Sequence, residues 1–329
     1  MSSALRQLAR HLRLGPIGYQ LWHRPLAALV RSKREGGPWQ QWLDWRGRRE
    51  MEAAASRLPP QRVPAPGAPE VCFLTGRRFW YQTAFCCWSL RHHAGCDLRP
   101  VFIDDGTFDH ALHAECLRLF PGADVETAAA IECRLEAHLP AAEYPTLRSQ
   151  RLTYVHLRKL TDVHAGCTGW RVVLDSDMLF FRRPTALLEW LAHPNRLLHM
   201  HDVQDSYGYP QGTLARLAGC PLPARLNVGI CGLRSEAIDW RQLEAWCAEL
   251  LRRHGTSYYQ EQALVALWVS RHSALCLPDQ DFLVMPDEAE CRSPTAVLHH
   301  YVDLSKRGYF RHAWRHLPPQ RETSINHAD

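Results

Sequence analysis

Two aspartates separated by one residue follow a short apolar run in the middle of the chain. The run is Val172-Val173-Leu174, and Asp175 and Asp177 come directly after it. In extended backbone, residues at i and i+2 face the same side, so both carboxylates can address one cation. Buried carboxylates this close repel each other unless a metal ion or a proton intervenes. The pattern therefore predicts a divalent-metal site.

Other interpretations of the acidic pair remain open. An Asx turn or a helix cap after a strand would also place aspartates here. A calcium loop is disfavoured, because Met178 and Leu179 occupy positions where such a loop needs an oxygen ligand and a glycine. The haloacid-dehalogenase type of phosphatase also has a D-x-D pattern after a buried strand, with Asp175 as the nucleophile here. Leu179 stands where that pattern usually has Thr or Val, so the phosphatase is the alternative enzyme.

Short apolar strands alternate with helical stretches after residue 69, and these elements must position the acidic pair. We predict strands over Val71–Thr75, Leu98–Asp104 and Arg171–Leu174, and helices over Phe79–His92 and Leu147–His164. This alternation predicts an α/β fold with a largely parallel sheet. Ligands of such sheets gather at the carboxyl ends of the strands, which is where the acidic pair lies.

The first fifty residues carry the positive charge of the chain. The 329 residues have a net charge of +5, but residues 1–50 hold ten Lys and Arg against three acids, so the remainder is at −2. The main body is therefore not a nucleic-acid binder by charge. Leu5, Leu8 and Leu12 share one face of a predicted helix, and four tryptophans follow, namely Trp22, Trp39, Trp42 and Trp45. This arm either packs on the main domain or contacts an anionic membrane surface.

The cysteines, the prolines and the hydropathy of the chain indicate its cellular compartment and its domain boundaries. Twelve cysteines without a C-x-x-C pair indicate reduced core thiols, so a metal must be held by carboxylates and His. The chain shows neither a secretory signal nor a membrane span, and we expect it in the cytoplasm, with the arm as a peripheral contact at the inner face of the membrane. We predict a basic helical arm over 1–57, a Pro-rich linker over 58–69, a catalytic domain over 70–315 and a tail over 316–329.

Several motifs in a fixed order resemble nucleotide-sugar-dependent glycosyltransferases of the GT-A fold, in particular glycosyltransferase family 8, the glycogenin-like and bacterial galactosyltransferase group. The D-x-D is Asp175-Ser176-Asp177, and the F-N-x-G-V strand resembles Leu226-Asn227-Val228-Gly229-Ile230. The D-Q helix start resembles Glu261-Gln262, with Glu in place of Asp. The closing H-F-x-G-x-x-K resembles His300-Tyr301 followed by Lys306. The resemblance spans residues 70–315 and implies a GT-A fold, a Rossmann-like mixed sheet flanked by helices.

The resemblance also implies roles for individual residues. Asp175, Asp177 and His300 would hold Mn²⁺ or Mg²⁺. The residues that would bind the donor are Thr75, Gly76, Asp105, Arg158, Lys159 and Lys306, with the base and the ribose at Thr75, Gly76 and Asp105. The residues that would flank the transferred sugar and the acceptor are Asp202, Asn227, Glu261 and Gln262. For Asp104-Asp105-Gly106 a plain strand-ending turn is the competing interpretation.

The implied reaction agrees with the charges of these residues. Breaking the anomeric bond of a sugar nucleotide leaves an additional negative charge on the departing diphosphate, and a divalent ion with Lys306 beside it would place positive charge there. An imidazole among carboxylates shifts preference towards manganese. The expected function is therefore a metal-dependent glycosyltransferase using a UDP-sugar, with retention, towards a glycan, lipid-linked or small-molecule acceptor. Besides the phosphatase, a non-catalytic nucleotide-sugar-binding or membrane-associated protein is the other alternative.

Overall fold

The structure is a computed structural model that describes residues 36–317. The predicted helix with Leu5, Leu8 and Leu12 lies outside the described residues, as do Trp22 and the tail beyond Leu317. The chain divides into two units after Met51. Among the described helices, none combines the length and the apolar character that crossing a bilayer requires.

The helix α1 (Pro38–Ala55) is the described part of the predicted arm. Pro38 at its first position has the fixed φ that helix starts favour. Arg46 donates to Glu50 one turn later at 2.7 Å, a pair that stabilises an exposed helix slightly. Trp39, Trp42 and Trp45 are exposed on α1. Within residues 36–57 the helix runs from Pro38 to Ala55.

The second unit contains two sheets. The strands are β1 (Glu70–Thr75), β2 (Arg99–Asp104), β3 (Asp124–Glu126), β4 (Trp170–Leu174), β5 (Met178–Phe180), β6 (Leu197–His201), β7 (Leu226–Arg234), β8 (Ala274–Cys276), β9 (Phe282–Val284) and β10 (Leu298–His300). Seven of them form the main sheet in the order β3-β2-β1-β4-β7-β6-β8, and a small sheet has the order β5-β10-β9. Within the main sheet β7 runs antiparallel to β4 and β6, and the other pairs are parallel. The predicted mixed α/β sheet is confirmed.

Helices flank these sheets. They are α2 (Trp80–Ala94), α3 (His110–Leu119), α4 (Ala128–His138), α5 (Pro145–Thr153), α6 (Arg158–His164), α7 (Thr185–Ala192), α8 (Gln211–Ala218), α9 (Trp240–His254), α10 (Gln260–Val269), α11 (Glu288–Arg292) and α12 (Lys306–Arg311). Every residue of α10 is buried, and its segment Ala263–Val269 belongs to the main hydrophobic core. A helix that is apolar on all sides is stable only inside the protein. Burial of α10 fixes the position of the polar residues in its first turn.

The predicted single helix over Leu147–His164 is wrong. Residue Tyr154 is extended (φ −128°, ψ 93°), so α5 ends at Thr153, and a 3₁₀ turn leads into α6. The Thr153 hydroxyl donates back to the carbonyls of Ser149 and Gln150, which satisfies backbone acceptors at the end of α5. The Tyr154 hydroxyl donates to the carbonyl of Tyr258. These contacts replace the continuation of the helix.

The Pro-rich segment over 58–69 contains no helix or strand, as its prolines predict. It is hydrogen-bonded to the main domain. The Trp88 indole donates to the Pro59 carbonyl at 3.2 Å, and the backbone N–H of Gln61 donates to the Leu119 carbonyl at 2.9 Å. The segment therefore follows the surface of α2 and α3 instead of spanning open solvent.

Candidate active site

The acidic pair lies where the chain crosses from the main sheet to the small sheet. β4 ends at Leu174, and the backbone N–H of Asp175 donates to the Gly229 carbonyl of β7 at 2.8 Å. Two residues later the Asp177 carbonyl accepts from the N–H of Tyr301 at 2.9 Å. The main chain of the pair is therefore held by β7 of the main sheet and by the residue that follows β10 of the small sheet. This position matches the carboxyl end of β4 that the sequence predicts.

His300 faces both carboxylates. Its Nε2 lies 3.6 Å from Asp175 Oδ2 and 3.5 Å from Asp177 Oδ1. His300 reaches this point because β10 pairs with β5, which places it opposite Met178. Gly229 packs against the ring, and a Cβ at that position would lie 2.6 Å from His300 Cε1 and Nδ1. A glycine is required there because a side chain would displace the imidazole.

The donor set of these three side chains fits a divalent ion. One ligand atom from each of Asp175, Asp177 and His300 lies within 4.8 Å of the others. Ligands of one octahedral ion with bonds of about 2.1 Å are about 3 Å apart when adjacent and about 4 Å apart when opposite. Two carboxylates and one imidazole suit a metal such as manganese. The three residues could hold such an ion with small adjustments of the side chains.

Each carboxylate of the pair also contacts a lysine. Lys159 Nζ donates to Asp175 Oδ1 at 2.8 Å and lies 3.2 Å from Glu261 Oε2. Lys306 Nζ lies 3.1 Å from Asp177 Oδ2. Each aspartate therefore directs one oxygen to a lysine and the other towards His300. Lys159 and Glu261 are both buried, whereas Lys306 is partly exposed.

These contacts set the ionisation of the site. Burial would raise the pKa of Asp177, but Lys306 and His300 outweigh burial and hold it well below its usual range. Burial would lower the pKa of Lys159, but Asp175 and Glu261 raise it above its ordinary value. Burial raises the pKa of Glu261 to about 7, against the opposing effect of Lys159. Asp177 and Lys159 are therefore charged at neutral pH, and Glu261 titrates near it.

A second group of polar side chains is joined by hydrogen bonds. Asp202 Oδ2 accepts from Asn227 Nδ2 at 3.2 Å and from Gln262 Nε2 at 3.3 Å. The same Gln262 nitrogen donates to the Ser206 carbonyl at 2.8 Å. Asn227 Oδ1 accepts from the N–H of Gly229 at 2.8 Å. The structure thus brings together three of the four residues that the resemblance places beside the sugar, and the fourth, Glu261, contacts Lys159 instead.

The residues predicted for the base and the ribose meet at the carboxyl ends of β1 and β2. The Thr75 hydroxyl is buried and shares a hydrogen bond of 2.7 Å with the Thr83 hydroxyl, so it is engaged inside the protein. A Cβ at Gly76 would lie 2.0 Å from Asp105 Oδ1, so a side chain there would displace the Asp105 carboxylate. Asp105 Oδ1 accepts from the N–H of Thr107 at 3.0 Å, and this is the turn that the competing interpretation predicts.

The two predicted basic residues of α6 have different partners. Arg158 donates to the carbonyl of Asp105 and, at 3.3 Å, to that of Arg151. Lys159 is the residue that contacts the acidic pair. Consecutive residues of a helix point in directions about 100° apart, so a single site cannot receive both side chains equally. Arg158 therefore belongs with Asp105, and Lys159 belongs with Asp175.

A chain of aromatic rings beside this site is absent from the sequence-based predictions. Ring centroids are 5.3 Å apart for Tyr154 and His156, 5.4 Å apart for His156 and Tyr258, and 5.2 Å apart for Tyr258 and Tyr259. The tyrosine pair directly precedes Gln260 at the start of α10. In the sequence, the two adjacent tyrosines before the polar first turn of α10 are the feature that could have indicated these rings.

Comparisons with known proteins find similarity at the level of three-dimensional structure. No protein-family model matches the chain, and no curated protein sequence matches it. Mouse xyloside xylosyltransferase 1 in its apo form is 11% identical, covers 71% of this chain and 97% of that chain, and gives a TM-score of 0.49. The galactosyltransferase LgtC, in complex with donor and acceptor sugar analogues, is 14% identical, with coverages of 71% and 87% and a TM-score of 0.48.

A third solved structure is the glycosyltransferase GlyE of Streptococcus pneumoniae TIGR4. It is 13% identical, covers 76% of this chain and 60% of that chain, and gives a TM-score of 0.45. Sequence identities and TM-scores this low do not assign chemistry to this chain, so its chemistry depends on the residues of the site. The chain resembles glycosyltransferases of known structure.

Proposed function

We propose that this chain is a metal-dependent glycosyltransferase of the GT-A type that transfers a sugar from a nucleotide sugar to an acceptor. The observation that carries the proposal is the convergence of Asp175, Asp177 and His300 on one point, with Lys306 beside them. We take the donor to be a UDP-sugar and the ion to be Mn²⁺, on the resemblance and on the mixed carboxylate and imidazole ligands. The same resemblance supports retention of anomeric configuration.

The charge balance of the site supports a diphosphate ligand. Two aspartates face two lysines, so the ion pairs Lys159–Asp175 and Lys306–Asp177 cancel in charge, and Glu261 beside Lys159 adds at most one negative charge. A bound divalent ion would therefore leave a positive surplus of one to two charges, which suits the anionic diphosphate of a nucleotide sugar. Lys306 is the lysine that can turn towards a phosphate, because it is partly exposed. Lys159 is buried, and its role is to hold Asp175 in place.

The second polar group supports a sugar beside the diphosphate. Asp202, Asn227 and Gln262 offer a carboxylate and two amides, which are groups that bind hydroxyls of a pyranose. In the transfer, an acceptor hydroxyl oxygen bonds to the anomeric carbon, and the bond from that carbon to the diphosphate oxygen breaks. The bonding electrons leave with UDP, and the hydroxyl proton is released to the diphosphate or to water. The products are the glycosylated acceptor and UDP.

The proposal is tested by measuring UDP release and ligand binding together. Incubation with UDP-sugars and Mn²⁺ should release UDP slowly even without acceptor, and a nucleotide at one hundred times its Kd should stabilise the fold by about 2.7 kcal/mol. Turnover that needs neither a nucleotide sugar nor a metal would contradict the proposal. Hydrolysis of phosphate esters that survives His300→Ala would favour the phosphatase with Asp175 as nucleophile. Nucleotide-sugar binding without turnover would favour the non-catalytic alternative.

We also propose that the arm contacts an anionic membrane surface at the cytoplasmic face. On α1, Trp39 and Trp42 stack at 4.8 Å, and the Arg46 guanidinium lies 5.7 Å from the Trp42 ring. Exposed tryptophan beside arginine suits the headgroup region of anionic lipids. Replacing Trp39, Trp42 and Trp45 together by Ser should reduce cosedimentation with anionic vesicles at low salt at least tenfold and leave UDP release unchanged. Equal cosedimentation of both proteins would contradict this contact.

A further inference from the structure

An exposed aromatic surface adjoins the candidate site. We define the aromatic ledge as Tyr154, Val155, His156, Tyr258 and Tyr259. Val155, Tyr258 and Tyr259 are among the exposed large hydrophobic residues of the described chain, and 69% of the Tyr258 surface is accessible. Each ring of the ledge contacts the next, from Tyr154 to His156, then to Tyr258, and then to Tyr259, as their centroid distances show. Contiguous apolar surface of this kind marks a binding site more often than isolated exposed residues do.

The ledge is built from the two segments that lead into the site. Val155 and His156 belong to the 3₁₀ turn directly before α6, which carries Lys159. Tyr258 and Tyr259 directly precede α10, which carries Glu261 and Gln262. The hydrogen bond from the Tyr154 hydroxyl to the Tyr258 carbonyl joins the two segments. The ledge therefore has a fixed position relative to the site.

The ledge borders both halves of the site. Tyr258 lies three residues before Glu261, whose carboxyl group contacts Lys159 beside Asp175. On the other side, Gly208 packs on Tyr259, and a Cβ at that glycine would lie 3.2 Å from Tyr259 Cβ. Gly208 belongs to the loop after Asp202 whose Ser206 carbonyl accepts from Gln262. The ledge therefore adjoins the loop that contacts the Gln262 amide.

We infer that the acceptor is a saccharide that carries an apolar aglycone, an alkyl or aryl group at its reducing end. This inference rests on the proposed function. The sugar of the acceptor would lie between the ledge and the transferred sugar, which the group of Asp202, Asn227 and Gln262 would hold. The aglycone would cover Val155, Tyr258 and Tyr259, because burial of exposed rings and methyl groups favours a hydrocarbon.

The nucleotide base is the competing occupant of the ledge, and its predicted place is elsewhere. Thr75, Gly76 and Asp105 lie at the carboxyl ends of β1 and β2, whereas Tyr258 follows α9, which comes after β7. Arg158, two residues after the ledge residue His156, contacts the Asp105 carbonyl, so the ledge adjoins the predicted base site without being part of it. A base on the ledge would leave the ends of β1 and β2 without a ligand. The two occupants are distinguished by which ligand a ledge variant loses.

The experiment compares matched glycosides. The wild type with UDP and Mn²⁺ is titrated by calorimetry with methyl and octyl β-glycosides of glucose, galactose and xylose, the octyl compounds below their micelle concentrations. The same glycosides are added to UDP-sugar reactions, and the rate of UDP release is compared with the rate without glycoside. Either an increase or a decrease indicates binding, because a bound glycoside either accepts the sugar or blocks hydrolysis of the donor. For at least one sugar we expect the octyl glycoside to bind at least tenfold more tightly than the methyl glycoside.

Variants locate the preference. Tyr258→Ser and Val155→Ser should each reduce the octyl-to-methyl affinity ratio at least threefold and leave the Kd of UDP within twofold. Leu117→Ser is the matched control, because Leu117 is an exposed leucine of α3 outside the ledge, and it should leave the ratio unchanged. Circular dichroism and Tm confirm folding of each variant.

Each outcome decides a separate point. Equal affinity for methyl and octyl glycosides of every sugar overturns the inference, and so does an octyl preference that persists in Tyr258→Ser, since the octyl group then binds elsewhere. A loss of UDP affinity in Tyr258→Ser without a change in the ratio assigns the ledge to the base. Octyl preference without any UDP release from UDP-sugars supports the apolar ledge while overturning the proposed transferase.

Discussion

Two groups of side chains lie next to each other at the site, and they differ in how they are stabilised. The charged cluster is held by ion pairs, and it consists of Asp175, Asp177, His300, Lys159 and Lys306. The amide cluster is held by hydrogen bonds, and it consists of Asp202, Asn227 and Gln262. In the first group, lysines balance the aspartates, and Asp175, Asp177 and His300 each direct one possible ligand atom to a common point. The second has one carboxylate whose oxygen is already occupied by two amide donors.

The difference indicates a division of labour. Removing a charge from the charged cluster changes the net charge beside the diphosphate, and a change of one unit at short range in a buried site has a large effect. Removing an amide from the other cluster changes a hydrogen bond and the position of a sugar, which costs less. Glu261 and Gln262 are consecutive residues of α10, yet Glu261 contacts Lys159 and Gln262 contacts Asp202. The first turn of α10 therefore joins the two clusters.

The largest expected effect is on Asp177. Asp177→Asn keeps the shape of the side chain but removes an anionic ligand and the partner of Lys306. We expect kcat/KM for UDP-sugar hydrolysis to fall at least about 100-fold, because the metal would be lost together with its stabilisation of the leaving diphosphate. Calorimetry of UDP with and without Mn²⁺ should show that the metal no longer tightens binding.

The control for this variant is Asp124→Asn, on β3 at the far end of the main sheet, where Asp124 is largely exposed and lies 3.5 Å from Arg99. It removes the same charge from the protein as a whole and should leave both measurements unchanged. UDP binding that is independent of Mn²⁺ and identical in the wild type and in Asp177→Asn would overturn the metal assignment.

A smaller effect is expected in the amide cluster. Gln262→Ala removes one of the two amide donors to Asp202. Turnover should fall about tenfold or more while the Kd of UDP stays within about twofold, because the side chain would act on the transferred sugar and not on the nucleotide. Stopped assays of UDP release and calorimetry give the two quantities.

Gln260→Ala is the matched control for Gln262→Ala. Gln260 is a buried glutamine in the same turn, and it donates to Cys247 Sγ at 3.0 Å instead of to the amide cluster. A comparable loss of turnover in both variants would mean that damage to α10, and not the loss of the amide at Asp202, explains the effect. Equal losses of turnover and of UDP affinity in Gln262→Ala would show that the two clusters do not divide their tasks.

The strands that carry the site could be predicted because their sequences are apolar runs closed by polar residues. Val172-Val173-Leu174 is such a run, and the predicted strand is confirmed as β4. The position of Asp175 at the end of β4 follows directly. The proximity of His300 does not follow from local sequence, because it depends on pairing between β5 and β10, which are more than one hundred residues apart. His300 was predicted only from the resemblance to glycosyltransferase family 8.

The sequence did not indicate which of two neighbouring basic residues would contact the acidic pair. Arg158 and Lys159 have equal charge and adjacent positions, and only the orientation of α6 assigns Lys159 to Asp175 and Arg158 to Asp105. That orientation depends on the break at Tyr154, where a tertiary hydrogen bond to Tyr258 outweighs a sequence pattern typical of one continuous helix. The aromatic ledge was missed for the same reason, since its members are brought together by this break.

The last expected effect is on stability instead of activity, and it concerns Glu261, which lies between the two clusters. In the protein without metal, its pKa is about 7 instead of 4.5, because burial disfavours the carboxylate more than Lys159 favours it. A pKa raised in the folded state stabilises the protein below the unfolded pKa, and that stabilisation is lost as the pH rises through the folded pKa. Relative to Glu261→Gln, the free energy of unfolding of the wild type should therefore fall by about 3 kcal/mol between pH 4.5 and pH 8.

The measurement is urea unfolding of both proteins in a chelating buffer across this range. Taking the difference between the two proteins removes the contributions of groups that titrate identically in both, His156 and His164 among them, whose pKa values burial lowers. A difference that falls with pH means that Glu261 is uncharged at low pH and joins the charged cluster only above about pH 7. A difference that rises with pH would mean that Lys159 outweighs burial, so that Glu261 is ionised throughout and both carboxylates beside Lys159 belong to the charged cluster.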